Sequence, residues 1–166
     1  MRAGIAFGSN LGESLQLLSQ ARACVLASQL LAPPVLISSI YLTSPVDCPP
    51  GSPTFLNAVL EAELTGDPTA LLRDLRACEE SLGRPAPSRR NAPRLIDLDL
   101  LYAGDCEISI DGLVLPHPRI GERRFVLAPL AEIRPGLILP GRTETIAQLL
   151  RNLPPGDAVE PLDARW

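Results

Sequence analysis

The chain has no lysine: all 15 of its basic residues are arginine. That excludes a Walker A lysine, a protein-kinase lysine and a Schiff-base lysine. The GxGxxG and GxSxG signatures are also missing. Phosphate chemistry on this chain must rest on arginine, metal and backbone. There is one histidine, and the four cysteines (Cys24, Cys48, Cys78, Cys106) form no CxxC pair, which argues against a zinc site. Free, partly buried thiols are the default; disulfides stay open, although nothing looks secreted. No apolar run is long enough to span a membrane, and the start of the chain lacks the apolar region and cleavage site of a signal peptide. A cytoplasmic protein with no membrane partner is expected. The net charge of −4 lacks the basic surplus of a general nucleic-acid binder.

What is present is globular. At 166 residues and 46% hydrophobic content, the chain suits one domain, 1–166, with a sizeable core. Ile5 to Ser9 reads as a strand ending in the turn Gly8-Ser9-Asn10-Leu11-Gly12. Leu15, Leu18, Ala21, Val25 and Leu26 recur at helical spacing to about Leu31, where Pro33-Pro34 stops the helix. Val35 to Leu42 is β-branched and apolar, a second strand. Phe55 to Leu64 is a third, with Asn57, Val59, Glu61 and Glu63 on one face. A second helix covers about Thr69 to Leu82 and closes at Gly83. Strand four runs from about Ile96 to Tyr102, and short strands follow near Cys106 to Ile110 and at Leu113 to Leu115. Arg123 to Ile133 and Thr143 to Asn152 are helical, before a proline-rich tail to Trp166. The order β-α-β-β-α-β predicts an α+β, ferredoxin-like fold: an antiparallel sheet with helices on one face, C-terminal additions, and the other face left for a ligand.

The most informative stretch is Arg90 to Leu101. Its second half alternates acid and aliphatic residues, so Asp97 and Asp99 share one strand face. Paired carboxylates suit a hard cation such as Mg2+, which keeps coordination sites for water and phosphate. Upstream, Arg84, Arg89, Arg90 and Arg94 stand among Pro85, Pro87 and Pro93, and guanidinium forks match phosphate oxygens. The pattern points to chemistry on a metal-bound polyphosphate. An edge strand with one wet face gives the same tripeptide without a metal.

Four patches occur together: Phe7-Gly8-Ser9-Asn10-Leu11-Gly12, Phe55-Leu56-Asn57-Ala58, Arg90 to Leu101, and Pro116-His117 with Arg123-Arg124-Phe125. The combination resembles the 6-hydroxymethyl-7,8-dihydropterin pyrophosphokinase family of folate synthesis, over about residues 4 to 140, with the closing tryptophan also typical. The resemblance implies pyrophosphate transfer from ATP to the pterin hydroxymethyl group, with two Mg2+ ions on the triphosphate. It implies that Asp97 and Asp99 bind the metal and that Arg84 and Arg94 stabilise transition-state charge. It places ATP against Arg76, Glu79, Arg84, Arg94, His117, Arg119 and Arg123. It places the pterin between Phe55 and Phe125, with Asn57 at the heterocycle edge and Gly8, Thr43, Ser44 and Val46 beside it. The partners implied are these small molecules, without nucleic acid, on a monomer.

Structural readings stand beside several of these assignments. Phe55 and Phe125 suit core packing, Arg76 and Glu79 suit a solvated helix face, and Asn10 suits an Asx turn. Three residues depart from the family pattern: Asn91 where many members have tryptophan, Ala86 where some have arginine, and Pro118 in place of a frequent aromatic. Two other classes compete. A ferredoxin-like RNA-binding module wants exposed aromatics and a basic face, which the acidic balance opposes. A catalytically silent scaffold is opposed by the intact carboxylate pair and its arginines.

Overall fold

The computed structural model describes residues 1–44, 53–83, 95–156, 159–164 and 166. In chain order the elements are β1 (Arg2–Ser9), α1 (Ser14–Leu26), β2 (Leu31–Ile37), β3 (Ile40–Thr43), β4 (Phe55–Leu64), α2 (Pro68–Ser81), β5 (Asp97–Ala103), β6 (Ile108–Ile110), β7 (Leu113–Leu115), α3 (Arg124–Ile133), α4 (Ile146–Asn152) and β8 (Val159–Leu162). The main sheet runs β5-β1-β4-β3-β8, with β2 also paired to β4. β1 and β3 are each antiparallel to β4, so they run parallel to each other. A parallel pair needs a crossover, and α1 supplies it. In the same way β4 and β5 both flank β1, and α2 joins them. These two interleaved crossovers make the ferredoxin-like sheet that the element order predicts.

Alternation sorts each central strand into two faces. Ala3, Ile5 and Phe7 of β1 and Ala58, Leu60, Ala62 and Leu64 of β4 pack with Leu18, Ala21 and Val25 of α1 and Leu71, Leu75 and Cys78 of α2. On the opposite face, Val59, Leu101 and Tyr102 pack under Val126, Leu127 and Leu130 of α3 and Ile146 and Leu149 of α4. The second face is therefore only partly open, because the C-terminal helices cover much of it. α2 begins as its sequence dictates: Asp67 accepts from Thr69 N at 2.6 Å, with Pro68 in the first turn. α4 starts on a Thr145–Gln148 capping box.

Three segments differ from the sequence reading. α1 stops at Leu26, because Ser28 turns the chain out and donates its hydroxyl to Asp74 of α2 at 2.5 Å. Pro33-Pro34 does not end a helix; it lies inside β2, where the pairing with β4 shifts between Ala32 and Leu36. Proline is tolerated there because its missing N–H costs no ladder bond at such an irregularity. The expected second strand is two strands, interrupted at Ser38, whose hydroxyl accepts from Val59 N at 2.9 Å.

The tail carries the other difference. β8 adds to β3, and Trp166 tucks against the first core. Its ring meets Phe7 edge-on at 5.0 Å, its Nε1 donates to Ser38 O at 3.0 Å, and Arg22 lies 5.6 Å from its centre. Trp166→Ala should therefore cost about 3 kcal/mol of stability, the usual loss for a buried aromatic. Urea unfolding monitored by circular dichroism checks this, and a loss under ~0.5 kcal/mol would refute the packing role.

Candidate active site

One end of the partly open face collects polar residues from four strands. β3 supplies Thr43, β4 supplies Phe55 and Asn57, β5 supplies Asp97 and Asp99, and Gly8 of β1 lies between the last two strands. The register sets Gly8 opposite both Asn57 and Asp97, and Ala6 opposite Asp99. A Cβ at Gly8 would stand 3.3 Å from Asn57 Oδ1 and 4.0 Å from Asp97 Cβ. Glycine keeps the space between amide and carboxylate clear of protein.

Asn57 is 6% exposed, and its Nδ2 donates to Thr43 Oγ1 at 2.7 Å. Tyr41 lies directly opposite Asn57 and donates its hydroxyl to Glu132 of α3 at 3.0 Å. The same carboxylate accepts from Ser39 N and Ser39 Oγ, each at 3.0 Å. Burial first, and Glu132 second, push the Tyr41 phenol up to about 12. At the other end of α3, Arg123 Nη1 lies 3.2 Å from Asp99 Oδ2, and its guanidinium stands 5.5 Å from the Phe125 ring centre. Burial opposes the Arg123 charge, and Asp99 offsets this. α3 is thus tied to β5 at its start and to β3 at its end, with Phe125 in its first turn beside the carboxylate strand.

His117 follows β7 through a cis Leu115-Pro116 bond. Its N–H donates to Leu101 O at 2.7 Å, and its Nδ1 accepts from Arg119 N at 3.2 Å. An accepting ring nitrogen carries no hydrogen, so the neutral ring holds its proton on Nε2. Burial pushes the His117 pKa down; Asp99 opposes this, and Arg123 and Arg119 add to it. At pH 7 the residue is a neutral donor. Glu79 is buried on α2 and accepts from Leu98 N at 2.8 Å, between the two aspartates in sequence. Arg76, exposed on the same helix, donates to Gly112 O at 3.1 Å in the β6–β7 turn.

The donor chemistry fits a hard divalent cation. Asp97 and Asp99 offer oxygens only, on one strand face, and both are partly exposed. Among the described residues no third His, Cys, Asp or Glu joins them. One or two carboxylates completed by water and substrate phosphate is the Mg2+ pattern, and it is unlike a zinc cage.

A family model of 7,8-dihydro-6-hydroxymethylpterin-pyrophosphokinase matches residues 4–135. The chain belongs to this family. It is 38% identical over 162 residues to the 2-amino-4-hydroxy-6-hydroxymethyldihydropteridine pyrophosphokinase of Methylorubrum extorquens, covering 93% of this chain and 94% of that protein. It is 41% identical over 129 residues to the Bacillus subtilis protein of the same name, covering 78% and 75% of the two chains. A mitochondrial folate synthesis bifunctional protein of Arabidopsis thaliana is 38% identical over 136 residues, with 78% of this chain covered but only 23% of that one. Among solved structures, a Plasmodium falciparum HPPK-DHPS with pteroate aligns at a TM-score of 0.70 and 14% identity, covering 90% of this chain and 42% of that chain. An HPPK-DHPS in complex with substrates aligns at 0.72 and 16%, with the same coverage. Those likenesses carry the fold, and the chain spans under half the length of those two proteins.

For a pyrophosphokinase-family chain, the candidate residues fall into three groups. Gly8, Thr43, Asn57, Asp97 and Asp99 share one face, with Arg123 on Asp99 and the His117 charge balance set partly by Asp99. Phe55 lies two residues before Asn57 at the start of β4, and Ser44 directly follows β3. Arg76 and Glu79 sit apart, on α2 toward β5 and the β6–β7 turn. Val46, Arg84 and Arg94, with Ala86 and Asn91, lie outside the described residues. Sequence reasoning misses the residues that hold the site together. Ser9 Oγ donates to Leu95 O at 2.6 Å, joining the end of β1 to the approach of β5. The Glu132 anchor is missed as well; a lone glutamate at the end of an amphipathic helix gives no signal of it.

Proposed function

We propose that the protein transfers pyrophosphate from ATP to the hydroxymethyl group of 6-hydroxymethyl-7,8-dihydropterin, giving AMP and the pterin diphosphate, a step of tetrahydrofolate synthesis. The protein is an ATP-dependent diphosphotransferase. The observation that carries this reading is the shared face on which Gly8 separates the Asn57 amide from the Asp97 and Asp99 carboxylates. A heterocycle edge and a metal-bound triphosphate can meet across that glycine.

In this reading Asp97 and Asp99 would hold Mg2+, two ions in the bound complex, which would supply neutralisation of charge developing on the phosphoryl oxygens. The chain's own residues supply the rest. The pterin lies between Phe55 and Phe125, with its edge at Asn57, Thr43, Ser44, Val46 and Gly8. The nucleotide takes Arg76, Glu79, Arg119 and Arg123, and His117 donates Nε2–H to a phosphate oxygen rather than acting as a base. Arg84 and Arg94 complete the charge stabilisation in this reading, because guanidiniums suit charge that grows on phosphoryl oxygens. The protein works as a cytoplasmic monomer of a single domain, without nucleic acid.

Incubation with ATP, Mg2+ and the hydroxymethyl pterin, with products resolved by chromatography, tests the reaction. AMP with pterin diphosphate is expected, whereas ADP with a monophosphate, or no turnover, would sink it. His117→Ala should raise the KM for ATP roughly tenfold, the worth of one hydrogen bond to a charged acceptor. Because the His117 pKa is lowered, the neutral donor persists below the ordinary histidine range. Its contribution should therefore stay flat from pH ~8 to below ~6.5, the ordinary histidine value. A wild-type profile bending at that value, absent from His117→Ala, would contradict this role.

A further inference from the structure

α1 and α2 pack on the same core, and two contacts set the register between them. Ser28, just past the end of α1, donates its hydroxyl to Asp74 of α2 at 2.5 Å. Farther along, the Cys78 thiol of α2 donates to Ala21 O of α1 at 3.9 Å. Residues three and four apart share a helix face. Ala21, Cys24 and Ser28 therefore form one stripe on α1, and Asp74 and Cys78 form its counterpart on α2. Cys24 stands between the two contacts. A helical side chain leans back over the turn before its own Cα, so the Cys24 sulfur leans toward Ala21, the residue that Cys78 touches. Cys78 is buried at 3% exposure, and Cys24 is partly buried against the same cluster. Burial first, and a hydrogen bond with the Cys24 thiol second, hold Cys78 protonated.

We propose that Cys24 and Cys78 are a redox-modifiable pair, which a small-molecule disulfide closes into a covalent link between α1 and α2. The reaction is two exchanges in sequence. The Cys24 thiolate, the more accessible of the pair, attacks one sulfur of the reagent RSSR. That bond breaks, and the departing RS⁻ takes up a proton as RSH. Cys78 then gives its proton to solvent and attacks the Cys24 sulfur, releasing a second RS⁻ that is protonated in turn. The two protein thiols lose two electrons, and one RSSR becomes two RSH. A protonated Cys78 is a slow nucleophile, but the mixed disulfide forms directly beside it, and such proximity speeds an intramolecular step by orders of magnitude. Cys106 sits elsewhere, its sulfur 3.7 Å from the Met1 thioether. The link encloses about a third of the chain and fastens α2, the helix of Arg76 and Glu79, to α1. In a reducing compartment it is a transient bond, opened again by thiols.

The test uses the full chain with Cys48→Ser and Cys106→Ser, so that only the pair remains. The folded protein is incubated with 2-hydroxyethyl disulfide, and its thiols are counted after denaturation. The count should fall from two to none, and non-reducing peptide mapping should join the α1 segment to the α2 segment. Because a cross-link restricts the unfolded chain, Tm should rise by roughly 5–15 °C. Dithiothreitol should reverse all three changes. With Cys78→Ala added, one stable adduct should remain on Cys24 with no rise in Tm. With Cys24→Ser added, the buried Cys78 should stay unmodified.

A two-thiol chain that keeps both thiols, stops at an adduct on Cys24, or links two copies of itself would overturn the pair. An internal bond that lowers Tm would also overturn it, since the helices would then have to leave their native packing to form it. Circular dichroism of the reduced Cys48→Ser/Cys106→Ser chain checks the fold beforehand. If that chain does not fold, wild-type protein under the same treatment decides the question. Mapping that joins Cys24 to Cys78 supports the proposal, and any other pairing, or none, overturns it.

Discussion

Replacing Asp97 or Asp99 with alanine is expected to lower turnover by roughly a thousandfold or more with the fold intact. In the proposed reading, removing a carboxylate that holds Mg2+ under the triphosphate forfeits several kcal/mol of transition-state stabilisation, and about 4 kcal/mol corresponds to that factor. The fold should survive because both side chains are partly exposed and belong to no hydrophobic cluster. The two variants should differ in one respect. Asp99 accepts from Arg123 at 3.2 Å, so Asp99→Ala strips a partly buried guanidinium of that partner. Asp99→Asn keeps an acceptor for Arg123 while lowering the charge on the metal side. Asp99→Asn should therefore melt close to wild type yet turn over as slowly as Asp99→Ala. Single-turnover rates across a Mg2+ titration, with circular dichroism melts alongside, decide the matter. Near-wild-type rates in either alanine variant would remove the carboxylates from the chemistry.

The legible parts of this molecule are those where a local pattern and a tertiary need coincide. β4 is legible to the residue, because Phe55–Leu64 is a strand-forming run flanked by turn residues. α2 is nearly as clear: Asp67-Pro68 and Gly83, whose φ is +93°, mark its ends chemically. The Asp97–Asp99 pair is visible because period two puts both on one face whatever surrounds them. Failures arise where a distant partner overrides local preference. Pro33-Pro34 reads as a stop signal, yet it belongs to a strand whose pairing is interrupted there. The tail reads as loop, since Val159–Leu162 becomes a strand only when β3 offers an edge. Glu132 and Ser9 carry no local signature at all; their roles exist only through Tyr41, Ser39 and Leu95, brought near by the fold. His117 shows the intermediate case. Sequence marks it as unusual, but only the Arg119 N–H on Nδ1 tells which nitrogen is left to donate.

Glu61→Ala should be among the most damaging single substitutions for stability, at about 3–5 kcal/mol, the usual cost of removing one partner from a buried charged network. Glu61 is fully buried in β4, on the same sheet face as the site but beyond Val59. Its carboxylate accepts from Arg2 Nε at 2.7 Å, from Arg134 Nη1 at 3.4 Å and from the Tyr102 hydroxyl. The Tyr102 ring fits only because Gly4 has no side chain; a Cβ there would stand 2.3 Å from Cε1. A bulge at Leu101, where the β1–β5 register shifts, turns the ring to that face. Alanine would leave Arg2, Arg134 and the phenol facing an empty, partly desolvated space. Urea unfolding at pH ~7 reads the loss, and a drop below ~1 kcal/mol would refute the network's weight.

Alkaline pH gives an independent check, because a chain without lysine titrates little besides phenols and thiols there. Burial first, then the Glu61 bond and charge, push the Tyr102 phenol well above its ordinary range, against weaker pulls from Arg134 and Arg2. The folded chain then keeps a proton that the unfolded chain loses above pH ~10, so stability is whole below that pH and falls as it rises. The slope from this one group is about 1.4 kcal/mol per pH unit. Tyr102→Phe should lower stability at neutral pH and flatten the alkaline limb. An alkaline limb as steep in Tyr102→Phe as in wild type would show that the phenol is not held protonated by its surroundings.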